Sequence, residues 1–360
     1  MRSVGVEEEF LLVDPRTGRP VAVSGAVLSG TPGPTEDEDG AGLTGELQRE
    51  QLETGTTPCG GLDELGSELR KVRSQASTAA AGAGAALAAV GTSPLPVEPT
   101  LSPSRRYAEI GRRFGLTAYE QLTCGCHVHV DIASAAEGVG VLDRIRPWLA
   151  PLLAISANSP FWQGEDSGYA SFRNQVWTRW PSAGCYERFG TPEDYRAFVD
   201  TTLATDTVVD EGMLYLDARL SATHPTVEVR VADVCRDPDD AVLVAALIRG
   251  LVETAAAQWA AGVQPDPVRT DVLRLAAWRA ARSGPSDTLL HPLTWRPAPA
   301  SEVLSALVEH VRPALEEAGD LTTVQELLAA VLARGPGSVR QRAVFARTGD
   351  LAEVIRDATT

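Results

Sequence analysis

The sequence predicts one α+β domain: a mostly antiparallel β-sheet that carries the polar chemistry, with helices packed on its outside. Three observations predict it. Strand signals alternate with loops along the N-terminal half, recur at residues 226–234, and are not separated by regular crossover helices, which favours antiparallel pairing. From about residue 239 the chain turns to long Ala-, Val- and Leu-rich stretches of helical character. No internal repeat and no strong linker divides the 360 residues, a length that one large core can serve, so residues 1–360 read as a single domain with a helical C-terminal third.

Taken in order, Val4 to Val13 reads as a strand. Residues 31–45 are rich in Gly, Pro, Asp and Glu and read as a mobile loop. Residues 46–55 form a second strand candidate. Residues 62–89 read as a helix, with Leu62, Leu65, Leu69 and Val72 at helical spacing, ended by a short strand or turn at 90–94. Residues 122–132 and 226–234 are the third and fourth strands. The helices of the last third are expected at 239–261, where Asp239 and Asp240 sit in the first turn as the helix dipole favours, then at 266–282, 301–318 and 321–333.

Composition excludes several functions. Hydrophobic residues make up 44% and charged residues 22%, as in soluble globular proteins. The formal net charge of −16 repels nucleic acid and anionic membranes. Lys71 is the only lysine and no Gly-x-x-x-x-Gly-Lys occurs, so phosphate handling falls to arginine, backbone N–H groups or metal. Five cysteines at irregular spacing do not read as a disulfide framework and suit a reducing cytoplasm. The opening MRSVGVEEEF has no apolar signal core, and the most apolar run, 79–90, is short and broken by Gly82 and Gly84, so no membrane span is expected.

The chemistry is carried by strand alternation, because successive side chains point to opposite faces. Glu7 and Glu9 share one face of the first strand; Val6, Glu8 and Phe10 share the other. Two adjacent carboxylates repel, so they stand either on a solvated edge or beside a cation. In TCGCHVHVDI, Gly125, His127, His129 and Asp131 share a polar face, and Cys124, Cys126, Val128 and Val130 share the other. A zinc site from this Cys-x-Cys-His-x-His run would need ligands from both faces of one strand, so the cysteines read as small buried hydrophobes. The histidine face then calls for a metal, an anion or ordinary hydrogen-bond partners. In TVEVRVADV, Val227, Val229 and Val231 face a core, whereas Glu228 and Arg230 are neighbours on the other face, as a surface ion pair or as a metal-binding carboxylate beside a phosphate-binding arginine. Glu46, Glu50 and Glu53 form a further cluster. Glu46 and Glu53 have opposite parity, so a bulge intervenes or one lies beyond the strand end. Carboxylates with an imidazole suit magnesium or manganese. The aromatic, polar stretch 158–180 reads as a binding loop in which Arg173 either grips a substrate carboxylate or stacks on Trp177 or Trp180.

In that order, GVEEEFLLVD, QLETGT, CGCHVHVD, NSPFWQG…GYASFR and EVRVADVC resemble the bacterial glutamate–cysteine ligase type 2, or carboxylate–amine ligase, family. The resemblance runs from residue 3 to about 236 in clear motifs, and five motifs in sequence are far more specific than any one. It implies a curved antiparallel half-barrel related to glutamine synthetase, with ATP and two or three magnesium ions in its mouth. It places Glu7, Glu9, Glu46, Glu53, His127 and Glu228 as metal ligands, His127 being preferred to His129 because it matches the family's Gly-x-His. It places Arg230 against the transferred phosphate of ATP, and makes Arg173 the candidate for the substrate carboxylate. Glu50, where the family favours a small residue, and the 179–185 loop depart from the pattern and bear on substrate identity.

The implied reaction joins a carboxylate, the glutamate γ-carboxylate by family default, to an amine, cysteine by the same default, through an acyl phosphate made from ATP. Two other readings of such a scaffold are a guanidine kinase-like phosphotransferase and a non-catalytic sensor of nucleotide or amino acid. The expected partners are small molecules, not nucleic acid or membrane, and the apolar surface of the helical third offers a face for a homodimer.

Overall fold

The computed structural model describes residues 1–30 and 42–360. Eleven strands are present among them: β1 (Val4–Val13), β2 (Gly42–Gly45), β3 (Gln51–Gly55), β4 (Ala86–Ala88), β5 (Gly125–Asp131), β6 (Phe161–Trp162), β7 (Glu165–Asp166), β8 (Ala218–Leu220), β9 (Thr226–Asp233), β10 (Thr288–Leu290) and β11 (Pro297–Pro299). Seven form one open sheet in the order β2-β3-β1-β5-β9-β8, with β4 paired to the end of β1. Every pairing in it is antiparallel, as the absence of crossover helices predicts.

The helices are α1 (Ser24–Ser29), α2 (Leu62–Gly82), α3 (Arg105–Phe114), α4 (Leu116–Tyr119), α5 (Ala135–Ile145), α6 (Leu149–Ser156), α7 (Phe172–Trp177), α8 (Pro192–Ala204), α9 (Pro238–Ala260), α10 (Thr270–Ser283), α11 (Ala300–Ala318), α12 (Leu321–Arg334), α13 (Gly337–Thr348) and α14 (Leu351–Asp357). The sheet's apolar face, with Val128, Val130, Val227 and Val229, packs on α2, α5, α6 and α9. Every residue of α9 from Asp240 to Val252 is buried, because α11 and α12 cover its far side. That explains its near-continuous apolar run. Asp237 caps α9 by accepting from the Asp239 N–H, and Pro238 follows at the first turn, where its missing N–H costs nothing.

Four expectations need correction. The second strand covers only Gln51–Gly55; residues 46–50 form the turn from β2. Helix α2 stops at Gly82, because the chain reverses through Gly84 (φ +75°), which glycine tolerates, and Ala86–Ala88 pairs with Leu11–Val13 as β4. The short strand expected at 90–94 therefore lies earlier. Of the loop expected at 31–45, Gly42–Gly45 is instead strand β2 and residues 31–41 lie outside the described residues.

Glu8 points to the apolar side, as alternation requires, and is fully buried against Arg73 of α2. The pair is bidentate, at 2.8 Å (Nε–Oε2) and 2.6 Å (Nη2–Oε1), and Arg73 also donates to the Cys235 carbonyl at 2.8 Å. Removing one partner strands a buried charge. Glu8→Gln is therefore expected to cost about 3–5 kcal/mol of stability, whereas Glu8→Leu combined with Arg73→Met recovers most of it. Thermal and urea unfolding read this. A loss below about 1 kcal/mol for Glu8→Gln would show that the pair is not desolvated as described.

Candidate active site

The opposite face of the sheet gathers the charged residues by cross-strand register. Glu9 on β1 stands opposite Glu53 on β3, Glu7 opposite His127 on β5, His129 opposite Glu228 on β9, and Glu228 opposite Arg219 on β8. Directly opposed residues share a face and a few ångströms of space, so five adjacent strands focus their polar side chains on one floor. Glu46 joins them from the turn beyond the end of β2, which settles its parity without a bulge in β3. Glu50 does not join; it is buried and accepts the Thr100 N–H at 3.0 Å.

This floor lines a cleft of ≈ 330 Å³. Arg106 and Tyr107 of α3, Trp177 of α7, Trp180 and Tyr215 form the facing wall, with Arg219 and Arg230 on the floor's far side. Arg106 is held by Asp210 at 2.6 Å, and Trp177 donates its indole N–H to the Tyr215 carbonyl at 3.2 Å.

Donor atoms of Glu7, His129 and Glu228, of Glu7, Glu53 and His127, and of Glu9, Glu46 and Glu53 lie within 4.8 Å of one another in each group. His127 Nδ1 is 3.6 Å from Glu7, its Nε2 is 3.9 Å from Glu9, and His129 Nε2 is 3.4 Å from Glu7. Both histidine Nε2 atoms are buried without a hydrogen bond. Burial, then the Glu46 charge, lifts the Glu9 carboxyl to about 7, although Gly125 donates its N–H to Glu9 at 2.6 Å. Burial and the charges of Glu46 and Glu7 push Glu53 well above the carboxylate range. Burial resists ionisation of Glu7 too, but the two histidines, at 3.6 and 3.4 Å, hold it well below that range. Burial and the Arg230 charge bring His127 down to about 4, so it is neutral and able to ligate. At His129 burial opposes the charge, but Glu7 outweighs it and the ring is raised. At Glu228 burial is outweighed by Arg230 and Arg219, the latter at 2.7 Å, and the carboxyl is lowered.

Unmatched carboxylates and unpartnered imidazole nitrogens at this spacing fit a hard divalent cation with oxygen-rich ligands. Such a cation must displace protons from Glu9 and Glu53. Magnesium affinity is therefore expected to rise from about pH 6 to about pH 8, with proton release on binding. Calorimetry in two buffers of different ionisation enthalpy measures both, and a flat affinity over that window would refute the assignment. In the metal-free protein the sign reverses. The Glu9 carboxyl, raised from 4.5 to about 7, keeps in the folded state a proton the unfolded state releases, so stability falls as pH rises between those two values.

Arg173 does not line the cleft. It is 2% exposed and lies under β5, where a Cβ on Gly125 would meet its Nη2 at 2.2 Å. Its guanidinium stands over Trp177 at 5.4 Å, with Arg230 at 5.6 Å from the same ring. Of the stretch 158–180, read as a binding loop, Trp177 and Trp180 line the cleft, while residues 158–161, 170–171, 173–174, 176 and 180 are buried. Asp233 accepts from the Asn158 N–H at 2.8 Å, Ser159 Oγ at 2.7 Å and Ser171 Oγ at 2.8 Å, and so pins it to the floor. Alternation along β9 puts Asp233 with the valines. The register slips between the Cys126 and Val128 pairs, so Asp233 instead pairs with Gly125, on the histidine side. Arg219, Arg106, Tyr107 and Tyr215 were also invisible to sequence reasoning: β8 has only three residues, and α3 gives no local sign that it faces the sheet.

A family model described as glutamate-cysteine ligase family 2 matches residues 3–358. A Streptomyces avermitilis protein provisionally named glutamate–cysteine ligase 2-1 is 52% identical over 99% of this chain and 98% of its own. A Streptomyces coelicolor protein provisionally named glutamate–cysteine ligase 2 is 51% identical over 99% and 97%. Among solved structures, a glutamate–cysteine ligase from Francisella tularensis in complex with AMP superposes with a TM-score of 0.70 at 14% identity, covering 99% of this chain and 87% of that one. A bifunctional glutathione synthetase from Pasteurella multocida gives 0.69 at 14% identity, this chain spanning 51% of it.

Proposed function

The chain belongs to the glutamate–cysteine ligase family 2, and from that membership and the cleft's geometry we propose that it is an ATP-dependent carboxylate–amine ligase. The carrying observation is the floor itself: three carboxylate-rich groups, each within 4.8 Å, beside Arg219 and Arg230 in one cleft. The names of the relatives at 52% and 51% identity favour the glutamate γ-carboxylate and cysteine as substrates. The AMP held by the Francisella protein supports a nucleotide in the cleft. The family match from residue 3 to 358 supports one catalytic domain over the whole chain.

A carboxylate is a poor electrophile. In the proposed reaction its oxygen attacks the γ-phosphorus of ATP, the bond to the β,γ-bridging oxygen breaks, and ADP leaves. The amine then attacks the acyl carbon, phosphate departs with the bonding electrons, and the ammonium proton is lost. Glu7, Glu9, Glu46, Glu53, Glu228 and the β5 histidines would hold magnesium, which when bound neutralises the charge of the polyphosphate. Arg230, with its buried Nε unpartnered, would meet the phosphoryl oxygens, and Arg219 helps keep Glu228 ionised beside it. Arg173 would meet a substrate carboxylate only at the deepest point of the floor, beside Gly125. Trp177 and Trp180 shield the acyl phosphate from water. No helix among the described residues is long and apolar enough to cross a membrane, and all five cysteines are free, which supports a cytoplasmic enzyme.

The test is phosphate release from ATP and magnesium with glutamate, with and without each of a panel of amines led by cysteine. Release that requires both, with the matching dipeptide seen by mass spectrometry, is expected. Transfer of phosphate to an acceptor without free phosphate would replace this reading with the kinase one. No magnesium-dependent turnover with any pair would replace it with a sensor.

A further inference from the structure

We propose that the cavity behind the cleft's aromatic wall is a second ligand site, for a small zwitterion of the α-amino acid class whose ammonium group pairs with Asp217. The cavity measures ≈ 500 Å³ and lies between α7, the 178–185 segment and α10. That is within the usual size range of small-molecule sites, about 300–1,000 Å³.

Asp217 stands in its inner wall and is 6% exposed. Its backbone is fully used: the N–H donates to the Gly184 carbonyl at 3.0 Å, and the carbonyl accepts from the Arg230 N–H at 2.9 Å. Its carboxylate is not. Among the described residues the Cys185 thiol is the one side-chain group that hydrogen-bonds it, no arginine or histidine forms an ion pair with it, and the buried Arg173 acts on it through its charge alone. Burial raises this carboxyl to about 6. Other buried acids away from the cleft are matched: Glu8 by Arg73, Asp240 by Arg334, and Asp143 by the N–H groups of Phe189 and Gly190. A desolvated carboxylate on a cavity wall, whose one side-chain hydrogen bond is to a weak donor, is suited to an incoming cation.

The mouth supplies the complement. Arg274 of α10 lines it, forms no ion pair among the described residues, and its charge is felt at Cys185, the thiol beside Asp217. An ammonium at Asp217 with a carboxylate at Arg274 is the charge pattern of an amino acid. The site is wired to the cleft. Trp180 lines both cavities, and the Asp217 carbonyl holds the backbone of Arg230.

The experiment is calorimetric titration of the full chain with glycine, L-alanine, L-glutamate and L-cysteine, without nucleotide and with chelator present. At least one is expected to bind at one equivalent. Asp217→Asn should weaken that binding at least ten-fold, and N-acetylation of the amino acid should do the same. Glu53→Gln, in the cleft, should leave it within two-fold. Binding that survives Asp217→Asn but is lost in Glu53→Gln would place the ligand in the cleft and overturn the proposal, as would no binding by any of the four. If circular dichroism shows Asp217→Asn misfolded, the exposed Arg274→Ala decides instead: at least a five-fold loss is expected, and an unchanged affinity overturns it. None of these readings uses turnover, so they stand apart from the ligase assignment.

Discussion

Glu53→Ala is expected to lower kcat by about 10³-fold or more, while the metal-free protein melts at the same temperature or higher. The two effects have opposite signs for one reason. Glu53 is the residue common to the Glu7–His127 and Glu9–Glu46 groups, so its loss removes a donor from both. Its one polar contact to a neutral group is Thr44 Oγ1 at 2.9 Å, and it is otherwise surrounded by Glu46, Glu7 and Glu9. Burial and those charges make it an unfavourable guest in the folded chain until a cation arrives, so truncation relieves the fold and ruins the site. Thermal unfolding with and without magnesium separates the roles. Wild type should gain melting temperature with magnesium, because the cation binds only the folded state. Glu53→Ala should gain much less. Activity within about ten-fold of wild type, or an undiminished magnesium shift, would remove Glu53 from the site. A lower melting temperature in the metal-free state would mean that it serves the fold instead.

Much of this floor can be read from alternation alone, because β1, β5 and the first half of β9 set an apolar face against a polar one. Glu7 and Glu9 separate from Glu8, His127 and His129 from Cys124 and Cys126, and Glu228 from the valines, by parity. Cys124 and Cys126 lie among core residues, as small buried hydrophobes. What parity cannot supply is anything that depends on an interruption or a partner far along the chain. The register slip in β9 moves Asp233 to the histidine side, and with it the anchor of the 158–180 block. That block reads as a surface loop because it is polar and aromatic, yet its Ser and Asn side chains are spent on Asp233 and on buried backbone groups. Arg73 meets Glu8 across 65 residues of sequence, and Arg219 meets Glu228 from a three-residue edge strand. Glu46 reaches the floor only because β2 ends at Gly45. In each case the deciding fact is which strand lies next to which, and local sequence does not encode that.

Arg230 carries the second large effect. Arg230→Lys is expected to lower kcat by about 10²–10³-fold with a much smaller change in KM for ATP, because a guanidinium that meets phosphoryl oxygens as charge redistributes contributes mainly in the transition state. Lysine keeps the charge but not the planar fork, and Arg230 has a fixed geometry to lose: Nη1 is bound to Glu228, the ring of Trp177 lies 5.6 Å from its carbon, and Nε has no partner. Arg230→Ala should add a structural cost, since Glu228 would keep Arg219 alone as its counter-ion and its carboxyl would rise. The conservative variant is therefore the informative one. Arg219→Lys is the control on the same carboxylate: it touches Glu228 through Nε at 2.7 Å but from the edge strand, and it should cost less in kcat than Arg230→Lys. Equal losses in both variants would mean that the arginines act only by holding Glu228. A loss in Arg230→Lys confined to KM would mean that Arg230 binds ground-state nucleotide and not the phosphoryl group in transfer.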